Sequence, residues 1–241
     1  RSDPCTDSGA LVGLGLSRVC NLRRAVLRRT ECPRETAVDG ARSSAAPALC
    51  CSPMAKDLFG IVGTAIAGTY EVEAVVAEGG FAVVYRAHHA GFGAKVARKC
   101  LKLSRKLTPE REAEFLAQFK AEAALLFQLS SSIPTVVRPL HIDAMNTKDG
   151  TFVPYMVLEW LEGETLAAII HHRAADRLPP PPLKKLVRLL RPVAQALARA
   201  HDFKAVDGTP VSIVHQDIKP ENIFVANVAG EQVVKILDFG V

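Results

Sequence analysis

Residues 215–222 read HQDIKPEN, and LDFG follows at 237–240. The first stretch places a carboxylate, an ammonium group and a carboxamide within six residues, at Asp217, Lys219 and Asn222. Pro220 lies between them and restricts the backbone. Such crowding of a base, a cation and an amide raises the question of which chemistry needs all three together.

The composition is that of a soluble globular protein. The 241 residues are 49% apolar and 23% charged, enough for one good core or two small ones. The net charge of +5 is uneven, because residues 1–53 carry eight arginines against five acids and residues 54–241 carry 22 basic against 20 acidic side chains. The main body is nearly neutral, so we expect no general nucleic-acid footprint. No apolar run reaches the ~18 residues that would suggest a membrane span.

The first 53 residues differ from the rest. They hold five of the six cysteines and none of the lysines, and only Cys100 lies in the body. The cysteine spacings match no zinc signature, and the body is predicted to be reduced and cytoplasmic. Apart from an arginine-rich patch at 22–29, residues 1–53 show no strand or helix rhythm, which favours disorder. In a second interpretation, Met54 is the true start of the protein and the residues before it come from a mis-called start. A transit peptide and a basic DNA-binding segment are two further interpretations of residues 1–53.

Residues 69–129 have the pattern of three strands and a helix. TYEVEAVVAEGGFAVVYRAHH, 69–89, alternates apolar and polar residues around a glycine pair, which predicts a strand, a turn and a strand. AKVARKCLKL, 94–103, predicts a third strand. Segment 109–129 has apolar residues at three-to-four spacing and Pro109 at its start, which predicts a helix.

Two further strands are predicted, at 135–144 and 152–160. After them the balance becomes helical. The proline run LPPPPLKK, 178–185, predicts a rigid, extended lead-in. It leads to a helix at 183–201, which Pro192 either bends or begins. The chain ends in short apolar runs on both sides of a turn at Ala229 and Gly230.

Four features fall in a fixed order: a glycine-containing hairpin at 78–85, Lys99 on the next strand, Glu122 inside the helix, and HQDIKPEN followed by LDFG. In this order the chain resembles the protein kinase family, specifically the bacterial serine/threonine kinases of eukaryotic type, over about residues 69–241. The resemblance implies an α+β fold, with an antiparallel β-sheet N-lobe that contains one key helix and an incomplete, mainly helical C-lobe. It implies a lead-in at 54–68, the N-lobe and hinge at 69–161, and the partial C-lobe at 162–241.

The resemblance assigns roles to the crowded loop. Asp217 would accept or orient the substrate hydroxyl, and Lys219 would stabilise the moving phosphate. Asn222 and Asp238 would hold magnesium, a hard cation that prefers oxygen ligands. Pro220 would stiffen the turn that presents them. Phosphoryl transfer consists mainly of positioning a highly charged group and neutralising its charge, which explains why these residue types occur together.

The same resemblance connects Lys99 to the nucleotide. Lys99 lies in VARK and matches the strand lysine that grips the α and β phosphates of ATP, a role suited to a compact charge on a long stem. Its expected partner is Glu122, in FKAEA on the predicted helix. Each residue taken singly would be interpreted as a solvated surface charge.

The glycine loop departs from the family pattern G-x-G-x-x-G. It reads AEGGFA, so Ala77 and Ala82 replace the first and third glycines and Gly79 keeps the middle one. Glycine is useful there because the backbone must approach the phosphates. Since Gly80 adds freedom, the resemblance places Ala77, Glu78, Gly79 and Gly80 over the nucleotide, although the changed pattern leaves its affinity open. A plain hairpin turn is the alternative.

The adenine base would be enclosed by Val84, Ala97 and Phe224, with Leu158 as the gatekeeper. The backbone of Glu159 and Leu161 would bond the adenine edge, and Glu164 would reach the ribose. Core packing is the alternative for the apolar members, since core residues also line such pockets. His215 and Phe239 match an internal hydrophobic column of the family, which makes His215 a structural residue.

The implied activity is ATP-dependent transfer of the γ-phosphate to serine or threonine hydroxyls of protein substrates, with ATP and Mg²⁺ as cofactors. The serine/threonine preference depends on Lys219 within DIKPEN. A nucleotide-binding pseudokinase that serves as a regulatory scaffold is the alternative, because two loop glycines are replaced. In the family an activation segment and most of the helical lobe follow the DFG motif. We therefore expect a fragment of a longer kinase that is weakly active or inactive by itself.

Gln216 occupies a position that is usually arginine in the family. That arginine pairs with a phosphate on the activation segment and makes activity depend on the modification. Glutamine supplies no positive charge. We therefore expect an enzyme whose activity depends less on phosphorylation of its activation segment.

Overall fold

The structure is a computed structural model, and it describes residues 56–103, 107–205 and 208–239. These residues belong to one compact unit. The interpretations of residues 1–53 lie outside the described residues.

The alternating segments form an antiparallel sheet. Its strands are β1 (Ala65–Ile66), β2 (Tyr70–Glu78), β3 (Ala82–His89), β4 (Ala94–Leu101), β5 (Pro139–Asn146) and β6 (Phe152–Glu159). Their order across the sheet is β1-β2-β3-β4-β6-β5. The three strands predicted within 69–103 are confirmed. The fourth predicted strand starts later than expected, at Pro139, because residues 135–138 instead hydrogen-bond to other segments.

Side-chain alternation gives this sheet two different faces. In β4, Val96, Arg98 and Cys100 are buried on one face, which we call the outer face. Ala97 and Lys99 are half-buried on the other, the inner face. Because opposite residues of antiparallel strands point to the same side, the strand partners of Ala97 and Lys99 also belong to the inner face. These partners are Arg86, Val84, Leu158 and Met156.

The outer face has its own apolar core, covered by residues that precede β2. Ile61 packs there on Tyr85 and the valines of β3, β4 and β6. The Tyr85 hydroxyl donates to Asp57 Oδ1 at 2.9 Å, and the backbone N of Val62 donates to Asp57 Oδ2 at 2.8 Å, which fixes this cover. The fully buried Arg98 lies under it, with its guanidinium carbon 3.6 Å from the centre of the Tyr155 ring.

Helix α1 (Pro109–Ser132) packs against β5. Thr108 precedes it in an extended conformation, Pro109 takes the first turn, and Glu110 and Glu112 lie near the positive end of the helix dipole. Its buried stripe comprises Phe119, Ala123, Leu126, Leu129 and Ser130. Burying a phenylalanine or leucine side chain contributes about 1.5–3 kcal/mol, so this stripe holds the helix on the inner face.

The second half of the chain is mixed. It contains β7 (Gly163–Thr165), α2 (Leu166–Ala175), α3 (Leu183–His201), a 3-10 turn (Pro220–Asn222), β8 (Ile223–Val228) and β9 (Glu231–Ile236). The strands form a sheet in the order β7-β8-β9. Ala229 and Gly230 make the β8–β9 turn with φ values of 51° and 87°, as predicted.

Helix α3 has the bounds that the sequence predicts. Pro192 lies inside it, so the interpretation of Pro192 as the start of the helix is wrong. The helix begins at Leu183 directly after the proline run, and its second half buries Val193, Ala196 and Ala200. The predicted lead-in therefore ends at Pro182, because Leu183 to Lys185 already have helical backbone.

The segment before β5 joins the two halves. The backbone N of Ile236 donates to Thr135 O at 2.7 Å, and the N of Val137 donates to Ile236 O at 3.0 Å. A single buried cluster extends from Phe119 and Leu126 in α1 to Val193 in α3. The arrangement of an antiparallel sheet with one packed helix, followed by a second half that combines two helices with a three-stranded sheet, confirms the predicted α+β fold. Among the helices in the described ranges, none combines the length and apolar character needed to cross a membrane.

Candidate active site

The 215–222 loop lies between α3 and β8. The backbone N of Asp217 donates to His215 O at 2.9 Å, and the N of Asn222 donates to Lys219 O at 2.9 Å. Gln216 has a φ of 61°, an uncommon value for a residue with a side chain. These tight turns bring the side chains of Asp217, Lys219 and Asn222 together.

Three predicted site residues meet in this loop. Lys219 Nζ donates to Asp217 Oδ2 at 2.9 Å. Asn222 Nδ2 donates to Asp217 O at 2.9 Å and to Asp217 Oδ2 at 3.1 Å. Asn222 is buried, whereas the Asp217 and Lys219 side chains are 34% and 47% exposed. A carboxylate held by two donors therefore faces solvent on this loop.

His215 supports this loop from below. Its Nε2 lies 2.8 Å from Leu237 O, and its ring centre lies 4.6 Å from that of Phe239. Burial lowers the pKa of His215, so the ring is neutral near pH 7 and Nε2–H donates to the carbonyl. The geometry agrees with the structural role expected for His215.

Asp238 is brought to the same loop by β9. The backbone N of Leu237 donates to Asn222 O at 2.8 Å, which ties the end of β9 to the loop. Asp238 has a φ of 56°, and its side chain is 39% exposed. Asp238 Oδ1 accepts from Lys99 Nζ at 2.5 Å.

The expected ion pair between Lys99 and Glu122 is not formed in this structure. Lys99 is bonded to Asp238, and Glu122 accepts from Gln118 Nε2 at 3.0 Å, one turn away on α1. Partial burial raises the pKa of Glu122, and the bond from Gln118 opposes this only in part. The physical reason for the difference is that Asp238 offers Lys99 a carboxylate at ion-pair distance.

The donor set fits magnesium. Mg²⁺ is usually held by one or two protein oxygen ligands, with phosphate oxygens and water completing its shell. Asn222 uses its amide nitrogen toward Asp217, which leaves its carbonyl oxygen for a cation, and Asp238 supplies a carboxylate. Across 56–103, 107–205 and 208–239, no group of three or more His, Cys, Asp or Glu side chains is arranged to hold a metal ion. An amide with a carboxylate is therefore the set to consider.

The glycine loop is a tight hairpin. Gly79 N donates to Ala82 O at 2.9 Å, and Ala77 is paired with Val84 in the sheet. Glu78 Oε1 accepts from Lys102 Nζ at 2.6 Å. Neither Gly79 nor Gly80 has a positive φ, and an added Cβ would meet no atom closer than 3.8 Å at Gly79 and none within 4 Å at Gly80. Ala77 and Ala82 are paired in β2 and β3 and neither has a positive φ, so alanine is compatible with both positions.

The predicted adenine residues divide between two sheets. Val84, Ala97 and Leu158 share the inner face of the six-stranded sheet. Phe224 lies in β8 opposite Lys235 of β9. Both Val84 and Ala97 are half-buried between buried neighbours in their strands.

The end of β6, the connector at 160–162 and β7 carry the remaining predicted residues. Leu161 packs against the main core cluster. Glu164 Oε2 lies 3.5 Å from His172 Nδ1, with both side chains more than half exposed. Glu159 uses its carboxylate elsewhere: Oε1 accepts from Lys235 Nζ at 2.6 Å and from the backbone N of Arg138 at 3.0 Å.

Sequence reasoning missed Lys235 and Gln118. Lys235 interrupts an apolar run, VVKIL, which is the one signal that could have drawn attention to it. Gln118 lies four residues before Glu122 on the helix, a spacing at which side chains meet. An apolar cavity behind Lys99 was also missed. It is lined by Lys99, Leu101, Phe119, Leu126, Val137, Met156, Leu158, Asp238 and Phe239.

Comparison with known proteins identifies relatives. The model of the protein kinase domain matches residues 70–241. The probable serine/threonine-protein kinase PknB of Corynebacterium glutamicum is 34% identical over 177 residues, which are 73% of this chain and 24% of that protein. The serine/threonine-protein kinase PknL of Mycobacterium tuberculosis is 33% identical over 171 residues, which are 71% of this chain and 36% of that protein.

A probable serine/threonine-protein kinase of Clostridium perfringens is similar to the same degree, with 34% identity over 181 residues, 75% of this chain and 22% of the relative. The chain thus spans between about a fifth and just over a third of the length of these relatives. The match to the domain model covers strands β2 to β6 of the sheet, α1, the 215–222 loop and Asp238. This chain belongs to the protein kinase family, among the bacterial serine/threonine kinases.

Proposed function

We propose that this chain binds ATP with Mg²⁺ and transfers the γ-phosphate to serine or threonine hydroxyls of proteins. The observation that carries the proposal is the meeting of Lys219 Nζ and Asn222 Nδ2 on the carboxylate of Asp217, at 2.9 Å and 3.1 Å. The family generally uses ATP and Mg²⁺, and its bacterial relatives have serine/threonine kinase in their names. We further propose the division into an N-lobe and hinge at 69–161 and a partial C-lobe from 162.

Asp217 would orient the acceptor hydroxyl and take its proton. Its carboxylate is partly exposed and held by two donors, so it is fixed before a substrate arrives. General bases positioned in this way contribute about 10²–10⁴-fold to rate. Lys219, next to that carboxylate, would neutralise charge on the phosphate as it moves.

Asn222 and Asp238 would hold Mg²⁺, which supplies charge neutralisation for the phosphate oxygens when it is bound. In this structure Asp238 is paired with Lys99. Lys99 would exchange that partner for the α and β phosphates, and Glu122 would then be available to orient Lys99. The function therefore requires Lys99 to move from Asp238 toward Glu122.

The adenine site is the inner face near the connector. Val84, Ala97 and Phe224 would enclose the base, and the backbone of Glu159 and Leu161 would bond its edge. Ala77, Glu78, Gly79 and Gly80 would cover the phosphates, and Glu164 would meet the ribose. We place the activity in the cytoplasm, where ATP is abundant and a free cysteine such as the buried Cys100 stays reduced.

The test is transfer of labelled γ-phosphate from ATP to a protein acceptor by the full-length protein. We expect transfer to serine or threonine by the unaltered protein and its loss in Asp217→Ala, with ATP still bound. A pseudokinase would bind nucleotide and transfer nothing in either form, and that outcome would refute the proposal.

A further inference from the structure

One ion pair connects two distant parts of the candidate site. Lys235 Nζ lies 2.6 Å from Glu159 Oε1, and the two side chains are 14% and 28% exposed. The same carboxylate oxygen also accepts from the backbone N of Arg138 at 3.0 Å. The residues are 76 positions apart in the chain, so the pair is a long-range contact in a shielded place.

The two partners belong to strands that lead to different parts of the proposed nucleotide site. Glu159 ends β6, and its backbone is proposed to bond the adenine edge. Lys235 lies in β9, opposite Phe224 and three residues before Asp238. The ion pair therefore spans from the adenine edge to the strand that carries a proposed magnesium ligand.

Backbone hydrogen bonds around the ion pair restrict movement of β6 relative to β9. Glu159 N donates to Arg138 O at 3.0 Å, and residues just before Arg138 are bonded to Ile236 in both directions at 2.7 Å and 3.0 Å. Segment 135–138 is thus held between β6 and β9. The ion pair between Glu159 and Lys235 adds a direct side-chain contact between the same two strands.

A second pair near the connector makes a useful contrast. Lys95 Nζ lies 3.1 Å from Glu162 Oε1, but these side chains are 51% and 63% exposed. Exposed pairs of that kind are screened by water and salt and contribute little. The Lys235–Glu159 pair is shorter and much less exposed, so its removal should have a larger effect.

We infer that Lys235 is a positioning residue that sets the spacing between the adenine-binding connector and Asp238. This inference deepens the proposed function and rests on it. Loss of the ammonium group would leave Glu159 free to turn and β9 less firmly held against the connector. A ligand that uses both ends of the site would then bind less well, whereas a ligand that uses only the connector would not.

The experiment compares Mg·ATP with adenosine, which lacks phosphates. Dissociation constants are measured for the full-length protein and for Lys235→Met, which keeps the apolar stem, and Lys235→Arg, which keeps the charge. We expect Lys235→Met to weaken Mg·ATP binding about three- to tenfold and to leave adenosine binding within about twofold. Lys235→Arg should restore Mg·ATP binding, and Lys95→Met should behave like the unaltered protein.

A merely structural role would weaken both ligands alike in Lys235→Met, and that result would overturn the inference, as would equal Mg·ATP affinity in all variants. If Lys235→Met does not fold, Glu159→Gln removes the same charge pair from the other side with the same expected selectivity. Failure of the proposed function is distinguishable, because the unaltered protein would then bind no Mg·ATP or bind it without transferring phosphate, whereas failure of this inference changes only the comparison between the variants.

Discussion

Two neighbouring charged residues of β4 have different surroundings, because their side chains lie on opposite faces of the sheet. Lys99 points to the inner face and is paired with Asp238. Arg98 points to the outer face and is fully buried, and its Nε and Nη1 atoms have no hydrogen-bond partner. Burial lowers the pKa of Arg98. Its Nη2 donates to Met145 Sδ at 3.2 Å, and its guanidinium lies over the ring of Tyr155. A buried polar group without partners costs about 1–3 kcal/mol.

Arg98→Met should therefore raise the stability of the protein by about 1–3 kcal/mol, because methionine fills similar space without unpaired donors. Phosphate transfer should stay unchanged, since Arg98 faces away from the site. Urea unfolding measures the predicted rise in stability. Arg86→Met is the matched control, as Arg86 is 38% exposed and paired with Glu73 on the surface. A less stable Arg98→Met would show that the guanidinium contributes net stability.

Glu122 is the residue at which stability and function are expected to conflict. Its pKa is raised above 4.5 by burial, so the unfolded chain loses this proton first as pH rises. The free energy of unfolding therefore falls as pH increases from about 4.5 through the folded pKa. Glu122→Gln should remove this decline and raise stability at pH 7 by less than about 1 kcal/mol, because the side chain is only partly buried.

The same substitution should lower kcat/KM for ATP by about 10–100-fold, the value of a hydrogen bond to a charged group, since Lys99 would lose its orienting carboxylate. Thermal unfolding from pH 4 to 8 and initial-rate kinetics measure the two effects. Gln118→Ala, which leaves the carboxylate in place, controls for the loss of the bond within the helix. An unchanged kcat/KM would exclude Glu122 from the active arrangement.

At the scale of secondary-structure elements, the position of β7 depends on close contact between the backbone of Gly163 and that of β8. Gly163 has a φ of 149°, and an added Cβ would lie 2.1 Å from Val225 O of β8. No L side chain fits that position. The strand has only three residues, and it fixes how the connector meets β8 and hence Phe224.

We expect Gly163→Ala to destabilise the protein by about 1–3 kcal/mol or more, from backbone strain and the steric clash, and to weaken nucleotide binding. Gly80→Ala is the control for stability, because no atom lies within 4 Å of its added Cβ. Its free energy of unfolding should stay within about 0.5 kcal/mol of that of the unaltered protein. Urea unfolding measures the change in stability, and ATP titration measures the change in nucleotide affinity. Equal stability of the two variants would contradict the described packing of β7.

Local patterns predicted the longer elements well. Strands β2 to β4 followed from alternation, and α1 and α3 followed from apolar spacing, since these signals depend on which face a segment buries. Helix α2 was missed although Thr165 caps it by accepting from Ala168 N at 3.1 Å, a signal present in the sequence. Strands β1 and β7 are too short, at two and three residues, to show a period.

The candidate site was predictable where its residues are close in sequence. Asp217, Lys219 and Asn222 meet within one loop, so their order implies their contact. Partner choice across the chain was not predictable: Lys99 bonds Asp238 rather than Glu122, and Lys235 bonds Glu159 across 76 positions. Such pairs depend on how the two sheets are placed, which no local pattern encodes.

At the scale of the whole molecule, the main core cluster extends from α1 through β6 to α3 and β9, so the loop that carries Asp217 is connected to the helix that carries Glu122. In many kinases a phosphate on the activation segment controls activity through an arginine, and here Gln216 stands at that position.

Activity of the full-length protein should therefore survive phosphatase treatment, with at least about half of the rate retained, because Gln216 has no positive charge and cannot form a bidentate ion pair with a phosphate as arginine does. Gln216→Arg should make the activity sensitive to the same treatment. Phosphate-transfer rates before and after dephosphorylation provide the measurement. Complete loss of activity in the unaltered protein would show that its control does not pass through position 216.

The most direct test of the central claim is the initial rate of γ-phosphate transfer by Asp217→Asn of the full-length protein. Asparagine keeps the size of the side chain and an acceptor oxygen for Lys219, and removes only the proton-accepting carboxylate. We predict a fall in kcat of at least about 100-fold with little change in KM for ATP. A variant as active as the unaltered protein would contradict the role of Asp217 and, with it, the proposed kinase mechanism.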